Sequence, residues 1–404
     1  MICDIRSLTR DELVAHVKEW GHEPYRVEQL LNWLYANRAT DWDVMTNLPL
    51  KLRNKLKENL TLHVLELVRK QGASDATQKY LWRLGDGALI ESVLIPANPA
   101  LYGDPSDRQT LCVSTQVGCA YGCKFCASGL EGWRRNLTTD EMVEQVLAVE
   151  RQYRKEVAEA QASGPASGEV VRPPVLRSVP RNIRLIDNLV IMGMGEPLAN
   201  YDSLLKALKI LNAPWGGGIG ARKITISTSG LAPEIRQLAD EPAQYRLAVS
   251  LHGATDETRD KIMPVNRKYP LGELIAACEY YLQTKGRMIT LEYVLIAGVN
   301  DGLDQVKPLA ELAHRLNAKV NLIPYNPVEG LPWERPRDAA QEAFHSALER
   351  QKVNATLRRE KGLAIDAACG QLRLKTEREL AGANPARTWS GPEVPNVQPP
   401  GSVA

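Results

Sequence analysis

Residues 110–126 read Thr-Leu-Cys-Val-Ser-Thr-Gln-Val-Gly-Cys-Ala-Tyr-Gly-Cys-Lys-Phe-Cys. Leu111 to Val117 is a strand-like run ending at Gly118. Directly after it, Cys119, Cys123 and Cys126 stand at spacings of four and three in a loop containing Gly122. Three thiolates this close, in a loop after a strand, can wrap one inorganic cluster. Three ligands on a four-iron cluster leave one iron open to a small molecule, whereas a plain electron carrier uses four. Two alternatives stand beside this. Zinc in a closed structural site needs a fourth ligand, and no histidine is near in sequence. Three buried cysteines without metal is the other.

Downstream, the same kind of run recurs. DNLVIMGMG, KITISTSG, YRLAVSLHG, MITLEYVLIAG and KVNLIPYNP are apolar stretches ending in Gly, Ser, His or Asn. Helix-patterned segments separate them, among them Thr139–Gln152, Ser203–Leu211, Leu271–Leu282, Gln305–Leu316 and Ala339–Gln351. Strands buried on both faces and joined by helices make a parallel sheet. About six such units fit an α/β fold with an incomplete TIM-like (β/α)6 barrel; a doubly wound open sheet is the competing layout. In a barrel the polar strand ends place the site at the C-terminal face.

The flanks read differently. Leu13, Val17 and Trp20, then Val27, Leu30, Leu31 and Leu34, then Leu52, Leu56 and Leu60 form helical stripes. Residues 1–61 are therefore expected to be a helical accessory domain. Residues 62–109 read as a small β meander with a turn at Gly85-Asp86-Gly87, and residues 110–380 as the α/β core. An Ala/Ser/Gly/Pro-rich stretch at 155–182 is expected to be a flexible insertion, and 381–404 a disordered tail.

With 50 Lys+Arg against 48 Asp+Glu, the net charge of +2 gives no argument for nucleic acid, although a local basic patch can act alone. No apolar run approaches ~18 residues, so no membrane span is expected. Charges in MICDIRSLTRDELV occupy the place of a signal peptide's apolar region, which implies a cytoplasmic protein. Seven cysteines, four of them between positions 112 and 126, suit metal or redox chemistry in a reducing compartment better than a disulfide scaffold.

Two further motifs carry chemistry. Gly193-Met194-Gly195-Glu196-Pro197 closes an apolar run; its glycines let backbone approach a ligand, and Glu196 can accept from an ammonium group. Asp366-Ala-Ala-Cys369-Gly370-Gln371-Leu372 lies near the end of the patterned chain, where a small buried cysteine beside a capping glycine is the bland alternative. Cys112 taken alone is a core residue of its strand.

Together, the C-x3-C-x2-C loop with Phe125, the GMGEP strand end and the DAACGQL segment resemble the RlmN/Cfr family of radical S-adenosylmethionine (SAM) RNA adenine methyltransferases. The likeness covers roughly residues 5–380 and favours the RlmN branch. It implies a radical SAM barrel with one [4Fe-4S] cluster held by Cys119, Cys123 and Cys126. It implies SAM bound by Gly195, Glu196, Ser227, Ser250, Leu251, His252 and Asn326. By the same resemblance Cys369 carries a methyl group, Cys112 resolves the protein–RNA adduct and Glu91 handles a proton. The implied product is 2-methyladenine in 23S rRNA (adenine 2503) and tRNA (adenine 37). The implied partners are those RNAs and an electron donor such as flavodoxin with its reductase, for a monomeric enzyme. A Cfr-type methylation at adenine C8 and a non-catalytic iron–sulfur RNA-binding protein are the alternatives. Basic groups flanking the proposed site, Arg134 and Arg135, Arg222 and Lys223, and Arg358, Arg359 and Lys361, are candidate phosphate contacts. So are Lys51, Arg53, Lys55 and Lys57 in the helical region. Cys3 and Cys278 are expected to be structural.

Overall fold

Each apolar run ended by a small or polar residue becomes one strand of a single large sheet. The computed structural model describes residues 2–72, 77–97, 108–130, 132–162, 184–328 and 330–358. The N-terminal part holds β1 (Cys3–Asp4), α1 (Arg10–Glu19), α2 (Arg26–Leu31), α3 (Leu50–Asn59) and β2 (Leu60–Thr61). β1 pairs in parallel with β2, so the two ends of the helical unit are tied together. α1 starts with a capping box in which Thr9 and Glu12 each satisfy the other's backbone N–H. Leu13, Val17, Val27, Leu30, Leu31, Leu34, Leu52 and Leu56 are all buried, as their stripes require.

β3 (Glu66–Gly72), β4 (Gln78–Arg83) and β5 (Leu89–Pro96) form the expected antiparallel meander. They are no separate module, because β5 also pairs antiparallel with β6 (Gln109–Cys112). From β6 the sheet continues in parallel through β9 (Asn188–Ile191), β10 (Ile224–Thr228), β11 (Arg246–Ser250), β12 (Thr290–Leu295), β13 (Lys319–Pro324) and β14 (Ala355–Leu357). The sheet order is β14-β13-β12-β11-β10-β9-β6-β5-β4-β3. The architecture is thus the incomplete barrel, not the doubly wound sheet. A short edge strand, β14, follows the six expected parallel strands.

Two expectations need correction. TLCVSTQVG is not one strand: the chain leaves the sheet after Cys112, and β7 (Gln116–Gly118) pairs instead with β8 (Trp133–Asn136) in a two-stranded ribbon. A four-residue helix, α4 (Ala127–Leu130), lies between those two strands. The stretch expected to be a flexible insertion from residue 155 begins as helix, because α5 runs Thr139–Ala162. Val157 is buried on it and Glu156 pairs with Lys70 at 2.5 Å. Residues 163–183 of that stretch lie outside the described residues.

The remaining helices are α6 (Tyr201–Asn212), α7 (Ala232–Asp240), α8 (Asp256–Ile262), α9 (Leu271–Lys285), α10 (Val306–Arg315) and α11 (Asp338–Arg350). α7 and α8 were not singled out by the sequence pattern. Gly286 ends α9 at φ 61, a left-handed cap that costs glycine nothing. Among the described residues, no helix is long and apolar enough to cross a membrane.

Buried polar groups on α5 join the parts. Gln145 accepts from Ser92 Oγ and Ser114 N at 2.9 Å each and donates to Ser114 O at 3.0 Å, clamping β5 to the segment after β6. Arg6 meets Glu144 at 2.8 Å, and Arg38 pairs with Glu150; all four side chains are almost wholly buried. Glu150 also accepts from Leu185 N at 2.8 Å. Removing one partner of a buried, hydrogen-bonded pair strands the other charge, so Glu150→Ala should cost roughly 3–5 kcal/mol. Urea unfolding of the two proteins measures this; a loss below about 1 kcal/mol would show that Arg38 finds water instead.

Candidate active site

The chain crosses itself closely where β6 and β9 end. Gly193 N donates to Val113 O at 3.1 Å, and Thr115 N donates to Met194 O at 2.9 Å. Met194 N donates to Ser114 Oγ at 2.9 Å, and Glu196 N to Gln116 Oε1 at 2.8 Å. A Cβ on Gly193 would stand 2.7 Å from the Ser114 backbone nitrogen, and one on Gly195 2.5 Å from Gln116 Cβ. Gly195 also has φ +102. Only glycine fits both places.

This crossing lays the Glu196 strand end beside the three-cysteine loop. Both open on one cleft of about 150 Å3, lined also by residues of β10 to β13. Cys119, Cys123, Cys126, Gly195, Glu196, Ser227, Ser250 and His252 all border it. Leu251 is fully buried between its two neighbours, and its N–H donates to Glu292 O at 3.0 Å. Asn326 is buried just past β13, three residues beyond Ile323 of the cleft wall.

Glu196 is held on both oxygens. Oε1 accepts from Leu198 N at 3.1 Å and Oε2 from Ser229 N at 2.7 Å. Burial nevertheless raises its carboxyl above the ordinary value. Burial likewise pushes the Cys119 thiol up to about 12 and that of Cys123 well above its usual range, with the neighbouring thiols adding to both. Three thiolates here therefore call for a cationic centre.

His252 adopts φ 55, unusual for a residue with a side chain. Its Nδ1 accepts from Val294 N at 3.0 Å, which leaves the proton of the neutral ring on Nε2. The ring meets Phe125 edge-on at 4.9 Å between centroids. The Asn300 amide donates to the His252 carbonyl at 2.7 Å and so braces the turn.

Glu91 and Cys112 do not border the cleft, yet strand register puts them on its face of the sheet. Val93 pairs with Cys112, Cys112 with Val190 and Val190 with Thr225. Side chains alternate along strands, so Glu91, Cys112 and Ser227 point to one side. Ser250 and Glu292 share it, through Ala248 opposite Ser227. Cys112 is buried. Glu91 is fully buried and pairs with Lys79 at 3.3 Å. Cys369 lies outside the described residues, as do Arg359 and Lys361.

One charged cleft residue escaped the sequence reading. Glu292 is a carboxylate inside an apolar strand, a signal that was available, since charges are rarely buried without purpose. Its Oε1 accepts from Asn321 at 3.1 Å, while the buried Oε2 has no hydrogen-bond partner. Arg358, one of the candidate phosphate contacts, lines the same cleft. Among the proposed phosphate contacts, Arg135 is committed to Glu141 and Asp86 at 2.7 Å each, so it is a structural residue. Lys57 pairs with Asp43 at 2.6 Å and Lys55 with Glu58 at 3.1 Å. Arg134, Arg222 and Lys223 are exposed. Cys278 is buried in the core as expected, whereas Cys3 is exposed on β1.

These residues fit an iron–sulfur cluster with bound SAM. Three thiols share one cleft with a buried glutamate, a neutral histidine, two strand-end hydroxyls and a carboxylate oxygen awaiting a donor. Burial, helped by the charge of Arg259, pushes the His252 imidazole down to about 3. Its folded value lies below the unfolded 6.5, so the unfolded chain binds the extra proton between them. This contribution to stability is full above about 6.5 and is lost as pH falls toward 3. NMR of the imidazole should show it uncharged from pH 8 down to pH 5; protonation near 6.5 would contradict the burial argument.

The sequence family described as the ribosomal RNA large subunit methyltransferase N-terminal domain matches residues 3–62. The Radical SAM superfamily matches residues 171–313, which contain Glu196, Ser227, Ser250 and His252. The probable dual-specificity RNA methyltransferase RlmN 3 of Opitutus terrae is 52% identical over 371 residues, covering 92% of this chain and 94% of the relative. The probable dual-specificity RNA methyltransferase RlmN of Akkermansia muciniphila is 48% identical over 378 residues, with 94% and 97% covered. A crystal structure of a radical SAM methyltransferase from Sphaerobacter thermophilus matches with a TM-score of 0.79 at 42% identity, covering 92% of this chain and 99% of that one. With likeness of this extent, and with the cysteine loop and the Gly-Glu strand end facing one cleft, the chain belongs to the RlmN family of radical SAM RNA methyltransferases.

Proposed function

We propose that the chain methylates C2 of adenine in 23S rRNA, at adenine 2503, and in tRNA, at adenine 37, through a methyl group carried on Cys369. The observation that supports this most is Cys112: a buried cysteine on the cleft face of the sheet, in register with Val190 of the strand that leads to Glu196. A plain RNA binder has no use for such a thiol beside a SAM cleft.

C2 of adenine is a poor nucleophile, so direct attack on SAM is closed to it. When bound, the cluster held by Cys119, Cys123 and Cys126 supplies an electron that turns SAM into a radical source. Glu196 would accept hydrogen bonds from the SAM ammonium group, and Ser227 and Ser250 would offer hydroxyls to the same molecule. Neutral His252 presents Nε2–H as a donor at the same cleft. Cys369 takes a methyl group by thiolate displacement, since sulfur is the better nucleophile. Once a hydrogen atom has left that methyl group for the SAM-derived radical and the carbon has joined adenine C2, Glu91 removes the C2 proton, with Lys79 beside it to balance the charge, and the one electron left over would return to the cluster. Cys112 sulfur then bonds to Cys369 sulfur as the carbon–sulfur bond breaks. The electron pair stays with carbon, which takes a proton and becomes the methyl group. An external reductant, of the flavodoxin kind, restores both thiols and supplies the cluster's electron. The enzyme acts as a monomer.

Anaerobically reconstituted protein should hold about four irons per chain. Cys119→Ala should lose the broad visible absorption, and zinc bound in place of iron would contradict the assignment. The two special cysteines should fail differently. Cys369→Ala should give neither product nor adduct. Cys112→Ala should accumulate a nuclease-sensitive, slowly migrating protein–RNA species on a denaturing gel. Normal turnover by Cys112→Ala would make it an ordinary core residue.

A further inference from the structure

Arg259 lies on α8, in the segment Arg259-Asp-Lys-Ile-Met-Pro-Val-Asn266, and is completely buried. A guanidinium without solvent access needs its donors filled. Its Nη2 donates to Ser229 O at 3.1 Å, and Nη1 to Ser250 O at 3.2 Å and also to Leu251 O. Its Nε donates to Asn266 Oδ1 at 2.9 Å, while the Asn266 amide donates to Asp256 and Asp260 at 2.9 Å each. Two carboxylates are thereby linked to the arginine through one amide.

The three carbonyls belong to the loops that leave β10 and β11. Ser229 N–H is the donor to Glu196 Oε2, and Ser250 and Leu251 lead into His252. The glycines there leave room for the arginine: a Cβ on Gly253 would stand 3.0 Å from Arg259 Cγ, and one on Gly230 3.4 Å from its Nη2. α8 also grips the cysteine loop, because Lys124 N donates to Ile262 O at 2.9 Å between Cys123 and Cys126. Ile262 stands one turn after Arg259 on the same helix, so the buried guanidinium lies one turn from this contact with the cysteine loop.

Granting the cluster and SAM placement proposed above, we infer that Arg259 is a positioning residue with two separable effects. Its planar fork fixes the strand ends that receive SAM, and its buried charge, on the helix that grips the cysteine loop, favours the reduced cluster. Lysine keeps the charge but cannot bridge three carbonyls; glutamine removes the charge.

The test uses anaerobically reconstituted full-length protein as wild type, Arg259→Lys and Arg259→Gln. Iron content, equilibrium SAM affinity and the cluster midpoint potential by EPR-monitored titration are measured on each. Arg259→Lys should keep the wild-type potential and lose SAM affinity about tenfold, the worth of one charge-assisted hydrogen bond. Arg259→Gln should also shift the midpoint to more negative potential. Should Arg259→Gln fail to hold iron, the lysine variant decides alone. Wild-type SAM affinity in Arg259→Lys, or an unshifted potential in an iron-replete Arg259→Gln, overturns the inference. Wild-type protein that holds neither iron nor SAM overturns the underlying placement instead.

Discussion

The close crossing of Val113–Gln116 over Gly193–Glu196 is the constraint on which the site depends. Backbone hydrogen bonds run both ways between these segments, and each of the two glycines would clash with the other segment if it carried a Cβ. The crossing does two things. It peels the chain away from the sheet after Cys112, so that the three-cysteine loop projects over the strand ends. It also delivers Glu196 beneath that loop with both oxygens already hydrogen-bonded. Such pre-organisation places charge where a ligand will need it and avoids rearrangement at binding.

From this point the sheet distributes the chemistry by register. Parallel pairing from β6 to β14 keeps every second residue on the cleft side, which brings Cys112, Ser227, Ser250 and Glu292 to one face from four strands. The antiparallel meander extends that face to Glu91 and Lys79, so its fusion to the barrel is what the proposed proton transfer would require. α5 locks the arrangement from the other side. Gln145 clamps β5 to Ser114, and Glu144 and Glu150 anchor the helical N-terminal unit through buried arginines.

Much of this was legible in the sequence because local signals agreed with the fold. Apolar runs ending in polar residues gave the six expected strands, and the C-x3-C-x2-C spacing needed no tertiary knowledge. The strand split at Cys112 was not legible: Val113 to Val117 has β composition throughout, and only the contact with Gly193 and Gly195 pulls it out of the sheet. The helix beyond residue 154 was hidden by the low-complexity run that follows it. Arg259 was invisible for a different reason. A charged residue in a short polar helix has the pattern of a solvated surface, and its burial depends on carbonyls from two loops distant in sequence. Arg135 erred the other way, since its basic character suggested RNA while its geometry fills two carboxylates.

The regiochemistry of methyl transfer is the central functional claim. A strain deleted for this gene and complemented with the wild-type chain supplies 23S rRNA and tRNA for digestion and nucleoside mass spectrometry against authentic standards. The account predicts 2-methyladenosine in the complemented strain and its absence from the deletion strain. 8-Methyladenosine, or no difference between the strains, would contradict it.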